Sequence, residues 1–325
     1  MDLTIALNRY DRHVPFFNGT IAPPDGITLT PLEIGESTPY RDGTNRHARM
    51  LKDLEFDICE MSLSSFIMAV GRDRNLPIVG IPAFPRRFFS IGQIYVSNNS
   101  DVTTPKDLIG KKVGLHSFQT TLSVLGKGDL KLEYGVPWEQ IEWYCMRDEI
   151  IPIDLGDDVS VQVIPPDADI GVMLMEGEID ALISPQPRQS MLAAPHRFHR
   201  LFPDVKAEET RYFQKYGFYP IMHVMTMKRD LADARPDLPG KILEMCDEAK
   251  RMAYRFYDDS NYSLMAWGRN GLEEQQAKLG PDPWPNGFAA NAKNLAQFIG
   301  YSHDQRLIDA PYEPEALFHA SVLGT

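Results

Sequence analysis

The spacing of apolar and polar positions predicts short strands that lead directly into helices. Leu3–Leu7 predicts a first strand and Ile27–Leu32 a second. Thr44–Leu54 predicts a helix with Ala48, Leu51 and Leu54 on one face. Phe56–Met61 predicts a short buried strand, and Ser62-Leu63-Ser64-Ser65 then opens the apolar segment Phe66–Val70. Serine suits a helix start because its hydroxyl accepts from an unpaired N–H of the first turn. Leu76–Pro85 is rich in β-formers but broken by prolines, which predicts an edge or terminal strand. Further strands are predicted at Gln93–Val96, Lys111–Leu115, Ile141–Cys145, Glu178–Ile183 and Ile221–Met227. His116–Thr121 links Lys111–Leu115 to a helix through Leu122 and Leu125, repeating the strand, polar turn and helix start of 56–65. Pro239–Tyr257 is the clearest helix, with Ile242, Met245, Cys246, Ala249, Met252, Ala253 and Phe256 at helical spacing. Ala289–Ile299 predicts another.

Two strand-to-helix turns in separate halves of the chain predict an α/β protein of two lobes facing one cleft. Its 325 residues suffice for two cores. The expected division is 1–96 and 223–325 for one lobe and 97–222 for the other, with Gln93–Val96 and Ile221–Met227 as crossing strands at a hinge. A helical C-terminal tail follows. The net charge of −12 argues against nucleic acid, whose phosphates need a basic face. Cys59, Cys145 and Cys246 are widely spaced, without metal-ligand spacing, and fit a reducing compartment. Met1–Leu7 runs straight into a strand without the features of a signal peptide, and no apolar run approaches a membrane span. The expectation is a cytoplasmic protein with no membrane partner.

Candidate chemistry gathers at the strand ends, where open α/β sheets bind ligands and helix N-termini attract anions. Glu60 ends the strand at 56–61, as either a proton-transfer group or the partner of an arginine. His116 ends the second such strand, and His223 lies inside the predicted strand Ile221–Met227. Arg86-Arg87 beside Phe88-Phe89 is the strongest cationic feature, and an arginine fork matches a carboxylate. Ser62, Ser64, Ser117, Gln119, Thr120 and Ser184 stand at the turns as groups that would orient a ligand. Arg12 and His13 lie in the polar loop 8–19, read as solvated. His196 and His199 are three apart, but the prolines at 195 and 203 leave little helix to carry a metal.

The segments FDICEMSLSS (56–65), RDRNLPIVGIPAFPRRFF (72–89), PKDLIGKKVGLHSFQTT (105–121), MEGEIDALISPQP (175–187), YPIMHVMTMKRDL (219–231) and DPWPNG (282–287) resemble the 4,5-dihydroxyphthalate decarboxylase family. That resemblance implies a type 2 periplasmic-binding-protein-like fold. It also implies conversion of 4,5-dihydroxyphthalate to 3,4-dihydroxybenzoate and CO2 in aromatic catabolism. Such an enzyme needs a cation for the retained carboxylate, a base for a phenol and an acid beside the ring. Arg86 or Arg87 fits the first role, and His116, His223 or Glu60 the others. No electron-sink cofactor is expected. A divalent metal on the catechol oxygens is compatible with the chemistry, but no ligand motif calls for one. A homo-oligomer is expected. The alternative is a solute-binding protein or sensor that captures a small anion by clamshell closure.

Overall fold

The structure, a computed structural model, describes residues 1–36 and 42–325. Its strands, in chain order, are β1 (Asp2–Leu7), β2 (Thr28–Glu33), β3 (Ile58–Ser62), β4 (Ile78–Arg87), β5 (Ile94–Ser97), β6 (Lys112–Leu115), β7 (Glu142–Cys145), β8 (Val161–Val163), β9 (Ala181–Ile183), β10 (Phe198–Arg200) and β11 (Ile221–Lys228). They form two sheets in two compact units. The first unit holds Met1–Arg87, Ile221–Ala296 and Tyr312–Thr325, and the second Phe88–Pro220 and Gln297–Pro311.

In the first unit the sheet order is β2-β1-β3-β11-β4. β1 pairs parallel with β2 and β3, whereas β11 runs antiparallel between β3 and β4. The ends of β1, β3 and β4 and the beginning of β11 therefore share one edge. β4 is an edge strand, as its prolines require: Pro82 and Pro85 have no N–H to donate to a further neighbour. Its register against β11 slips on either side of His223. β3 passes without a loop into the helix Leu63–Arg72, and Ser62 at its N-cap is extended and makes no side-chain capping bond. The helix Leu238–Tyr257 lays Leu238, Ile242, Leu243, Met245 and Ala249 into a core with Leu3, Ile5, Leu7, Val79, Ile81, Met225 and Met227. Ile242, Met245 and Ala249 belong to the 3.6-residue stripe expected from the sequence, Leu238 and Leu243 widen it, and Phe256, expected on it, is exposed.

In the second unit the order is β10-β5-β9-β6-β7-β8. β6 is flanked by the parallel strands β7 and β9, and β5 joins β9 antiparallel. The helix Thr121–Tyr134 follows β6 and is buried from Ser123 to Leu130. Two features depart from the expected division. β5, predicted as a crossing strand, is an interior strand of this sheet, and the boundary falls between Arg87 and Phe88. Residues 297–311, expected with the first lobe, belong to the second unit. Tyr301 Oη donates to buried Asp129 (2.9 Å), Gln305 Nε2 to the Val124 carbonyl (2.8 Å) and Trp138 Nε1 to Asp304 (2.9 Å). The helix Val205–Tyr216 escaped the sequence reading because it buries only Tyr212 and shows no apolar stripe. Among the described residues no helix is long and apolar enough to cross a membrane.

The Tyr301 ring lies on the bare backbone of Gly128, where an added Cβ would stand 2.3 Å from ring carbon. Gly128→Val is expected to cost roughly 1–3 kcal/mol in chemical denaturation. Gly240→Ala, whose Cβ meets nothing within 4 Å, is expected to be neutral or to gain up to roughly 1 kcal/mol. Equal stabilities for the two variants would show that the Tyr301 contact is not restrictive.

Candidate functional site

The first unit buries a carboxylate at the shared strand edge. Glu60 is 0% exposed, and an ion there must be paired to persist. Its partners come from three other chain segments. Arg46, the first residue of the helix Arg46–Asp53, places Nη2 3.1 Å from Oε2 and donates from Nε to the Glu60 carbonyl (2.8 Å). The backbone N–H of Asn8, just past β1, donates to Oε2 (3.1 Å). His223 Nδ1 bonds to Oε1. Asn8 is the hub of the cluster. Its Oδ1 accepts from Arg46 Nη1 (2.9 Å), its carbonyl accepts from His13 Nδ1 (2.7 Å), and its Nδ2 donates to the Tyr10 hydroxyl (2.7 Å).

Burial opposes the charge on Glu60, but Arg46 and the His223 bond outweigh it and hold the carboxyl well below its usual range. Glu60 thus stays ionised. Burial pushes His223 down to about 4; the bond to Glu60 opposes this, and Arg86 and Arg46 add to it. Near neutral pH the imidazole is therefore neutral, with its Nδ1 hydrogen on Glu60 and a lone pair on Nε2. Of the two readings left open by the sequence, the structure shows the pairing of Glu60 with an arginine.

Strand register places a cation beside this imidazole. His223 stands opposite Ser62 on β3 and opposite Arg86 on β4. Residues directly opposite on paired strands share a face, so Ser62, His223 and Arg86 form one row, with Glu60 diagonal to His223. Arg86 also acts electrostatically on Tyr10. Its neighbour Arg87 is turned into the protein. Arg87 is 1% exposed and donates to the Pro285 carbonyl and Asn291 Oδ1 (2.6 Å each). It anchors the 282–291 turn. His47, next to Arg46, accepts the Ser62 N–H on Nδ1 (3.2 Å), and its ring is 5.3 Å from that of His223.

Other expectations are corrected. Ser64 is wholly buried in the helix Leu63–Arg72. His13 is buried on Asn8, and Arg12 stacks over Tyr10 and Trp284 while donating to the Pro85 carbonyl (2.6 Å), so neither belongs to a solvated loop. In the second unit, Glu149 accepts the backbone N–H groups of Phe118 (2.5 Å) and Gln119 (3.1 Å). The chain's own carboxylate thus takes donors expected for a ligand. Gln119 Nε2 is held on the Ile151 carbonyl, Thr120 Oγ1 bonds to the Ser117 carbonyl and Ser123, and Ser184 Oγ bonds to the Gln186 carbonyl. Ser117 is buried in the same turn, and His116 is half-buried beside it. Among the described residues no group of three or more His, Cys, Asp or Glu is arranged to hold a metal.

Arg46, His47, Asn8 and Tyr10 were missed as site residues. One signal was present: Arg46 puts a cation in the first turn of a helix, where the dipole disfavours it. Such a placement calls for a nearby anion, and Glu60 is that anion.

No family model matches the chain. It is 28% identical over 331 residues to a 4,5-dihydroxyphthalate decarboxylase of Comamonas testosteroni, covering 99% of this chain and 98% of that one. It is 27% identical over 225 residues to a 4,5-dihydroxyphthalate decarboxylase of Pseudomonas putida, covering 67% and 83%. The resemblance read from the sequence motifs therefore extends over the chain. Among solved structures, the alkanesulfonate-binding protein SsuA from Xanthomonas axonopodis pv. citri superposes with a TM-score of 0.59 at 14% identity, covering 98% of each chain. SsuA from Escherichia coli gives 0.56 at 15%, covering 98% and 92%. The desulfurization enzyme DSZB gives 0.52 at 14%, covering 99% and 97%. The fold is thus periplasmic-binding-protein-like, and it serves both binding proteins and an enzyme.

The buried histidines carry a signed pH dependence. Burial pushes His13 down to about 4 from 6.5. A depressed folded value means that its contribution is fully present above pH 6.5 and is lost as pH falls towards 4. His13→Asn keeps a donor for the Asn8 carbonyl but does not titrate. The stability of the wild type relative to this variant should hold steady above pH 6.5 and fall by a few kcal/mol towards pH 4, read by denaturant titration. A difference independent of pH would contradict the buried neutral imidazole.

Proposed function

We propose that this protein is a carbon–carbon lyase that decarboxylates a hydroxylated aromatic dicarboxylate, 4,5-dihydroxyphthalate or a close analogue, to the catechol monocarboxylate and CO2. The observation that carries this reading is the Glu60–His223 pair with Arg86 opposite on the sheet: a neutral, oriented imidazole beside a guanidinium. The similarity over the chain to two decarboxylases of that substrate supports it.

In 4,5-dihydroxyphthalate each carboxylate is para to one hydroxyl. His223 Nε2 takes the proton of that hydroxyl, and Glu60 steadies the imidazolium formed. The phenolate raises electron density at the ring carbon bearing the leaving carboxylate. A proton is added to that carbon, the bond to the carboxylate breaks, and its electron pair restores the aromatic ring as CO2 departs. The imidazolium then returns its proton to the phenolate, so the net reaction consumes one proton. Arg86 holds the retained carboxylate. One imidazole cannot reach both the hydroxyl and the para carbon, so the ring proton comes from a second group. His47, whose ring is 5.3 Å from that of His223, is the candidate in this unit, and His47→Asn tests it. Electrons flow from the phenolate, and the reading needs no electron-sink cofactor.

The test is incubation of the purified protein with 4,5-dihydroxyphthalate, following CO2 and the absorbance of 3,4-dihydroxybenzoate. His223→Asn should lower kcat by roughly 10²–10⁴-fold. Arg86→Leu should raise KM by roughly ten- to hundredfold, and Arg86→Lys should restore only part of the loss, because lysine lacks the planar fork. Saturable binding without CO2 release would instead establish the solute-binding reading.

A further inference from the structure

Tyr10 lies two residues beyond Asn8, at the carboxyl end of β1. Its hydroxyl oxygen accepts from Asn8 Nδ2 at 2.7 Å. The orientation of that amide is fixed, because Asn8 Oδ1 accepts from Arg46 Nη1 and the NH2 group must face the tyrosine. A hydroxyl has one hydrogen to donate as well as lone pairs to accept. Among the described residues Asn8 is the one hydrogen-bond partner of this hydroxyl, and none of them accepts its hydrogen. The ring is held in place: the Arg12 guanidinium sits 4.2 Å from its centroid and the His13 ring 5.3 Å away. Burial and the Glu60 charge raise the phenol above its usual range, which keeps the hydrogen on oxygen. Arg86 and Arg46 are the cations acting on the same oxygen.

An O–H donor anchored on Asn8, with Arg86 and Arg46 acting on it electrostatically, suits an anionic acceptor. We propose that Tyr10 donates its hydroxyl hydrogen to the substrate carboxylate held by Arg86, making it a specificity-determining residue for aromatic carboxylates. A carboxylate has lone pairs enough for a guanidinium and one further donor. The inference rests on the decarboxylase reading of this site and names the group that selects the retained carboxylate. Asn8 is then a positioning residue, relaying the rigidity of the Arg46–Glu60 pair to Tyr10.

Tyr10→Phe keeps the ring contacts and removes only the hydroxyl. The experiment measures CO2 release with 4,5-dihydroxyphthalate and equilibrium binding of 4,5-dihydroxyphthalate, 3,4-dihydroxybenzoate and catechol, for wild type and variant. Thermal melting of both proteins is followed in parallel. The expected result is a KM and a Kd for the two carboxylates raised roughly ten- to hundredfold, kcat changed by less than about threefold, catechol binding unaltered and melting unaltered. Unchanged carboxylate binding would overturn the proposal. So would an equal loss for catechol, which would place the hydroxyl on a ring oxygen, or a fall in kcat at constant KM, which would make Tyr10 a proton-transfer group. If the wild type binds 4,5-dihydroxyphthalate but releases no CO2, the decarboxylase reading fails while the binding comparison still decides the role of Tyr10.

Discussion

The first unit is built around a carboxylate that cannot stay charged without help. A fully buried Glu60 must be met by positive charge and by donors from the surrounding backbone. Arg46, the Asn8 N–H and His223 Nδ1 meet it, and they arrive from a helix, the end of β1 and the start of β11. Each of these segments must stop within a few ångströms of the end of β3. The antiparallel insertion of β11 between β3 and β4 follows from the same need, because it brings the N-terminal end of that strand, and with it His223, to the carboxyl end of its neighbours. Stability and chemistry thus depend on one ion pair. Removing either partner would leave an unpaired charge in the interior, which typically costs several kcal/mol.

Much of the fold was legible because burial leaves a period in the sequence. The helix Leu238–Tyr257 shows its apolar stripe, and the prolines of β4 mark it as an edge. Segments that bury little left no such trace: β8, β10 and the helix Val205–Tyr216 have few buried side chains. The site was legible by position but not by role. Glu60 and His223 stand at strand ends, yet their contact joins residues 163 positions apart, and no local pattern encodes it. The paired arginines illustrate the same limit. Arg86 stands opposite His223 in the bulged register of β11 against β4, whereas Arg87 is turned into the protein.

In the second unit the strand-to-helix turn was anticipated, but its occupant was not. The donors of residues 118 and 119 look available in the sequence because nothing nearby opposes them. Glu149 reaches them from the segment after β7. A carboxylate supplied by the chain satisfies a helix start as well as a ligand would, and sequence spacing does not distinguish the two. Thr120 and Ser184 met the same fate, since a short hydroxyl side chain finds a carbonyl within its own turn more readily than a distant partner.

A fold shared by binding proteins and an enzyme leaves catalysis to the charge balance of the site. The Arg46–Glu60 pair is neutral as a unit, His223 is neutral, and Arg86 contributes one positive charge. In the proposed reaction, transfer of the phenol proton to His223 would create an imidazolium against Glu60 and a phenolate on the ring, so a second positive charge would appear beside the substrate. That arrangement would stabilise the proton-transferred state more than the bound ground state, which is the condition for lowering a barrier rather than only tightening binding. A permanent second cation at residue 223 would hold the dianion more tightly and could not take the proton. Under the proposed reaction, the neutral imidazole set by burial is therefore the feature that would separate turnover from capture in this unit.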